Sequence, residues 1–259
     1  MELAPVEDMT TLQMGRSSMQ IEGELVPVAD VSLHADDSVY FNHHVLLWMN
    51  DTVDLRNLPL RGVGKRMLGG LPLIMVSAHG PGHIAFSFDH AGELLPVTLA
   101  VNESIDVKEH HFLLASGDVM YDYQNSNTWF RTRSGNETET HYPIGRYLDR
   151  FVAVDRPGMV LLHAKGNAFT RRLAPGQSVL VKPDALLFKD PSVELRMHFE
   201  TTNGRGSGGR TATTGWRSLR FAWLHLSGPG RVAVQSVHGH MQGTAGTLAG
   251  GSTATARDW

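Results

Sequence analysis

The chain of 259 residues contains no cysteine. That excludes disulfides, thiolate metal sites and a cysteine nucleophile, and it suits a reducing compartment. Charge is scarce as well: 19% of residues are Asp, Glu, Lys or Arg, and the formal net charge is −3. With a pI near 6.5, the chain lacks the basic excess of a general nucleic-acid or anionic-membrane binder, so nucleic acid is not an expected partner. No apolar run approaches the roughly 18 residues that would mark a membrane-spanning helix. The opening Met1-Glu2-Leu3-Ala4-Pro5 is acidic and leads into no apolar stretch, so no signal peptide is expected. The expected location is cytoplasmic, with peripheral contact at a membrane left open.

Catalytic signatures are missing too. There is no Gly-x-Ser-x-Gly elbow. Gly62-Val63-Gly64-Lys65-Arg66 fails as a phosphate loop, because Pro59 stands where the first Gly belongs and Arg66 where Ser or Thr would hold Mg²⁺. No cofactor is expected, and the chain reads as a non-enzyme.

What is present is repetition. Leu99-Ala100-Val101-Asn102-Glu103-Ser104-Ile105-Asp106-Val107 returns without gaps from Leu33 to Phe41 and from Leu173 to Val181. Each copy has Ser five residues after the Leu, Val or Ile six after it, and Val or Phe eight after it. Apolar pairs follow at Leu46-Leu47, Phe112-Leu113 and Leu186-Leu187. A second motif, a Pro-Gly turn between apolar alternations, recurs with its Gly at Gly82, Gly158 and Gly230. Repeats of this kind set architecture, and the alternation predicts short strands joined by tight turns. Hydrophobic residues make up 41% of the chain, enough for a real core.

These spacings predict one all-β domain over residues 19–238. Three tandem modules are expected at about 19–72 completed by 219–238, at 73–147, and at 148–218, with the chain ends pairing to close a pseudo-threefold unit. Residues 1–18 read as a lead-in. The stretches 125–147 and 201–218 read as loops, and the Gly-, Thr- and Ala-rich 239–259 as a flexible tail.

The chain resembles the altered inheritance of mitochondria protein 24 family, found in bacteria as well as mitochondria. Lys65-Arg66-Met67-Leu68-Gly69-Gly70, the Gly-Pro-Gly strands, Leu173-Ala174-Pro175-Gly176-Gln177-Ser178-Val179-Leu180-Val181 and Leu226-Ser227-Gly228-Pro229-Gly230-Arg231-Val232-Ala233-Val234 carry the likeness. It implies three tandem β-modules of the kind seen in the tryptophan RNA-binding attenuation protein, within the double-stranded β-helix class. It brings no catalytic residues, and the family's mitochondrial members are linked to inner-membrane organisation.

Two sets of candidate residues remain. His44, His110 and Asp184 stand eleven residues after the repeated Leu. Facing a common axis, two imidazoles and a carboxylate would form a facial metal set; the competing expectation is a turn, since His and Asp tolerate left-handed backbone. His238-Gly239-His240 has a metal-site spacing but no downstream ligand. The second set is a basic-apolar patch of Leu58, Leu60, Arg61, Lys65, Arg66, Met67 and Leu68, suited to a partner or a membrane surface, where each basic residue is worth about 1 kcal/mol. The expected function is therefore a non-enzymatic β-scaffold with a protein partner or a homo-oligomeric partner. A cupin-like metal or small-ligand binder is the alternative, and RNA binding rests on fold analogy alone.

Overall fold

A computed structural model describes residues 4–5, 11–58, 75–134, 136–203, 217–239, 247–251 and 255–256. Among them the chain is all-β: four sheets of five to seven strands, antiparallel except for the pairing of His198 and Phe199 with Thr255 and Ala256. Two single 3₁₀ turns, His43–Val45 and Pro183–Ala185, complete the regular structure.

The repeated Leu residues set the register. Strand Val28–Leu33 pairs with Gly82–Ser87 so that Leu33 faces Gly82. Gly92–Leu99 pairs with Gly158–Lys165 so that Leu99 faces Gly158, and Ala168–Leu173 pairs with Gly230–Gln235 so that Leu173 faces Gly230. A third strand joins the far side of each Gly strand, and each carries one bulge: between Leu46 and Trp48, between Phe112 and Leu114, and between Leu186 and Phe188. One extra residue bends a strand and increases its twist. The Gly is needed because a Cβ at positions 82, 158 or 230 would lie 2.4–2.7 Å from Val53, Val119 or Val193. Those valines stand twenty residues after the repeated Leu.

Alternating side chains from these strands fill three buried clusters. Phe41 and Phe86 meet edge to face at 4.7 Å in the first, and Phe112 and Phe151 lie 4.7 Å apart in the second. Fully burying each such ring stabilises the fold by roughly 1.5–3 kcal/mol.

The pairings correct the expected modules. The Pro-Gly strand follows its Leu partner in sequence, so Gly82–Ser87 belongs with Val28–Leu33, and Gly230–Gln235 with Ala168–Leu173 rather than with the N-terminal segment. The chain ends therefore do not complete a first module. For Gly230–Gln235, pairing with Ala168–Leu173 closes a far shorter loop than pairing with Val28–Leu33 would, and so incurs less loop-closure entropy. Gly82 pairs with Leu33 although Leu99 is nearer in sequence. The lead-in is also structured: Thr11–Met14 pairs with Ser17–Glu22, burying Leu12 and Met14 by period-two alternation. Within 125–147, Phe130–Ser134 and Glu137–His141 form a hairpin whose Thr-rich text suits a strand pair, with Phe130 and Thr132 buried and Glu137–His141 largely exposed. The described ends of 201–218 extend the long hairpin of Glu194–Asn203 with Arg217–Ser227. From the tail, Thr247–Gly251 pairs with Phe130–Ser134.

Candidate functional site

His44, His110 and Asp184 are not brought together. His44 is exposed in a 3₁₀ turn with its ring 6.1 Å from that of Phe88. His110 is exposed at φ +69°, the left-handed turn position that was the competing expectation. Asp184 accepts a 3.0 Å charge-assisted bond from Lys108 Nζ. Among the described residues no three His, Asp or Glu side chains are grouped to hold a metal ion. Of the basic-apolar patch only Leu58 is described, at the end of strand Asp54–Leu58. Leu60, Arg61, Lys65, Arg66, Met67 and Leu68 lie outside the described residues, as does His240.

Buried charge gathers at one strand pairing. Strand Ser104–Lys108 pairs with Leu186–Lys189, placing Asp106 opposite Lys189. Asp106, fully buried, accepts from Arg150 Nε at 2.7 Å, Lys189 Nζ at 3.2 Å and Gln124 Nε2 at 2.6 Å. Nearby, Arg231 bridges Glu103 at 2.6 Å and Asp190 at 3.1 Å. Each charge is neutralised by its neighbours, so the network locks strands together rather than offering a free acid or base.

Two buried histidines each donate to a backbone carbonyl, with the Nδ1 of His163 left without a hydrogen-bond partner. His111 donates from Nδ1 to the His163 carbonyl at 2.9 Å, and burial pushes its pKa down to about 4. His163 stacks on Phe88 at 4.5 Å and donates from Nε2 to the His90 carbonyl at 3.0 Å; burial lowers its pKa as well. Both imidazoles are held neutral as core groups.

A groove of about 710 Å³ runs past Tyr40, Leu58, Ser77, His79, Met120 and Tyr121. The Tyr40 hydroxyl is buried without a hydrogen-bond partner, and burial raises its pKa well above the usual range.

The most exposed apolar strand lies elsewhere. Leu46–Met49 ends its sheet: it pairs with Gly82–Ser87 on one side and, among the described residues, with no strand on the other. Leu47, Trp48 and Met49 are 56%, 43% and 40% exposed. Its repeat equivalents Phe112–Ser116 and Leu186–Lys189 are buried along almost their whole length. Another open strand is Ser178–Val181, which pairs with Arg217–Ser227 alone among the described residues and exposes Leu180 by 42%. Its equivalents Ser38–Phe41 and Ser104–Lys108 each have strands on both sides. Open strand edges with apolar side chains are ready-made association surfaces. Sequence reading missed them, although the repeat alignment held the signal: Met49 and Leu180 occupy slots filled elsewhere by Ala115, Lys189, Tyr40 and Asp106.

Comparison with known proteins agrees on the fold. The family profile described as mitochondrial biogenesis AIM24 matches residues 19–237. No curated protein sequence matches the chain. The crystal structure of a protein from Streptococcus pyogenes superposes with a TM-score of 0.61 at 17% identity, covering 86% of this chain and 94% of that one. Among the described residues, no helix is long and apolar enough to cross a membrane.

Proposed function

The chain belongs to the AIM24 family of mitochondrial biogenesis proteins, and from that premise we propose that it is a non-enzymatic β-scaffold acting through protein association. One observation carries this reading: two strands, Leu46–Met49 and Ser178–Val181, present apolar side chains beside edges that no described strand covers. The rest of the chemistry is spent internally, with Asp106, Asp190 and Arg231 in mutual ion pairs and His111 and His163 bonded to carbonyls. Exposed hydrophobic patches of this kind mark interaction sites.

The finer architecture we infer is three equivalent β-modules, of the attenuation-protein kind, at about 28–87, 92–165 and 168–235. Matching Leu–Gly registers, matching bulges and matching valines at 53, 119 and 193 support it. Successive modules join through short seams, Ser38–Phe41 with Phe112–Ser116 and Ser104–Lys108 with Leu186–Lys189.

Replacing Leu47, Trp48 and Met49 together by Ser, Thr and Gln tests the scaffold reading. Purified wild-type protein should associate, with itself or with captured proteins, in light scattering and affinity capture, and the triple variant should lose that association while staying folded. A wild-type protein that is a clean monomer and retains no partner would end the proposal. A second reading, small-ligand binding, draws on the groove beside the unpartnered Tyr40 hydroxyl. A ligand-dependent rise in Tm that Tyr40→Phe abolishes would favour it.

A further inference from the structure

We infer that the open strand Ser178–Val181 of one copy pairs with the open strand Leu46–Met49 of a second copy, in one defined antiparallel register. The inference rests on the scaffold reading above and names its partner as another molecule of this chain.

The two seams inside the chain supply the rule. In the first, Leu114 pairs with Phe41, Ala115 with Tyr40 and Ser116 with Val39. In the second, Phe188 pairs with Val107 and Lys189 with Asp106. Counted from the repeated Leu, both seams set position fifteen of the following module against position eight of the preceding one, and sixteen against seven. Two strands lack such a pairing among the described residues, and they belong to opposite ends of the series: Leu46–Met49 in the first module and Ser178–Val181 in the third. The same rule sets Trp48 against Val181, Met49 against Leu180 and Asn50 against Val179.

The chemistry fits that register. The sixteen-against-seven pair is small against aromatic in one seam, Ala115 and Tyr40, and ionic in the other, Lys189 and Asp106 at 3.2 Å. In the third it would be Met49 against Leu180, two apolar side chains that are 40% and 42% exposed in the single chain. Facing pairs on an antiparallel ladder sit about 4.5–5.5 Å apart at Cβ and interact directly. Pairing would cover both and satisfy the row of backbone groups each edge leaves open. The two strands differ, so the contact is heterologous: an open chain of copies keeps one free Leu46–Met49 edge at one end and one free Ser178–Val181 edge at the other until a ring closes.

The absence of native cysteine makes the test clean. Met49→Cys and Leu180→Cys are made singly and mixed under mild oxidation. A disulfide-linked species at twice the 28.4 kDa chain mass is expected from the mixture, at least about tenfold more abundant than from either variant alone, because only the mixture sets the two positions opposite each other. The double variant should give a ladder of linked chains. Leu180→Lys, measured by sedimentation, should weaken self-association at least about tenfold and leave the Tm unchanged. A double variant that links only within one chain, a mixture that gives no linked species, or equal linking by one variant alone would overturn the inference. If those failures occur while Trp48-dependent capture of a different protein persists, the second-copy inference falls and the scaffold reading stands.

Discussion

Ser104–Lys108 and Ser178–Val181 begin alike, with Ser, a β-branched residue and a Val two positions further on, yet one is sealed and the other open. The sealed strand pairs on one side with Tyr147–Ala153 and on the other with Leu186–Lys189. The open one has Arg217–Ser227 on a single side among the described residues. The difference teaches that similar sequence dictates the strand, while the strand's place in the fold dictates whether it finds a second partner. Internal seams can use a buried ion pair, Asp106 with Lys189 and Arg150, because their geometry is fixed within one chain. A seam left to association is better served by apolar groups, which leave no unpaired charge when the partner is away.

The largest effect should come from breaking the sealed side. Asp106→Ala strands Lys189 and Arg150 in a buried seam and should cost about 3–5 kcal/mol of stability, read from urea unfolding. Asp106→Asn should recover part of that loss by keeping the bond from Gln124.

The next sharpens what sealing demands of a side chain. His111 stands twelve residues after Leu99, an offset at which Leu33 and Leu173 are followed by buried Val45 and Ala185. It titrates at about 4 when folded, against about 6.5 unfolded, so at intermediate pH the unfolded chain binds the extra proton. Stability should be full above about pH 6.5 and fall as the pH drops toward 4, by up to about 3 kcal/mol. His163, also lowered by burial, adds in the same direction. Tm measured from pH 7 to 4 should show the decline, and His111→Val should flatten it.

A third pair of substitutions asks whether the surroundings of the two open strands are themselves tightly built. A Cβ on Gly80 would lie 2.3 Å from the His34 carbonyl oxygen, and one on Gly228 would lie 2.6 Å from that of Ala174. Gly80→Ala and Gly228→Ala should each cost about 1–3 kcal/mol in chemical unfolding. Costs of that size at both sites would place the openness of Leu46–Met49 and of Ser178–Val181 in missing neighbours rather than in loosely built surroundings.

The smallest stability effect belongs to the open edge. Met49→Lys should change the free energy of unfolding by no more than about 0.5 kcal/mol in dilute solution, because that side chain is 40% exposed.

Much of this architecture was legible. The repeated Leu, the Pro-Gly turn and the double apolar positions each mark a real strand, since period-two alternation is dictated by burial on one face. His110 could be read as a turn residue because its φ of +69° belongs to a class His tolerates. The grouping of strands into modules was not legible: sequence spacing orders the motifs, while Leu33–Gly82 and Leu173–Gly230 pairing depends on which strands are neighbours in space. The strand Glu137–His141 escaped notice because an exposed edge strand carries no apolar alternation. The open edges escaped for a related reason. Exposure of Trp48 and Leu180 is a property of absent neighbours, which only the comparison of equivalent slots, Met49 and Leu180 against Ala115, Lys189, Tyr40 and Asp106, hints at.

The most direct test of the central claim is amide hydrogen exchange followed as a function of protein concentration. If two open strands meet between copies, exchange in Leu46–Met49 and Ser178–Val181 slows together as concentration rises, while Phe112–Ser116 and Ser104–Lys108 keep their rates. Exchange in the two open strands that is independent of concentration, or slowing confined to one of them, would contradict the account.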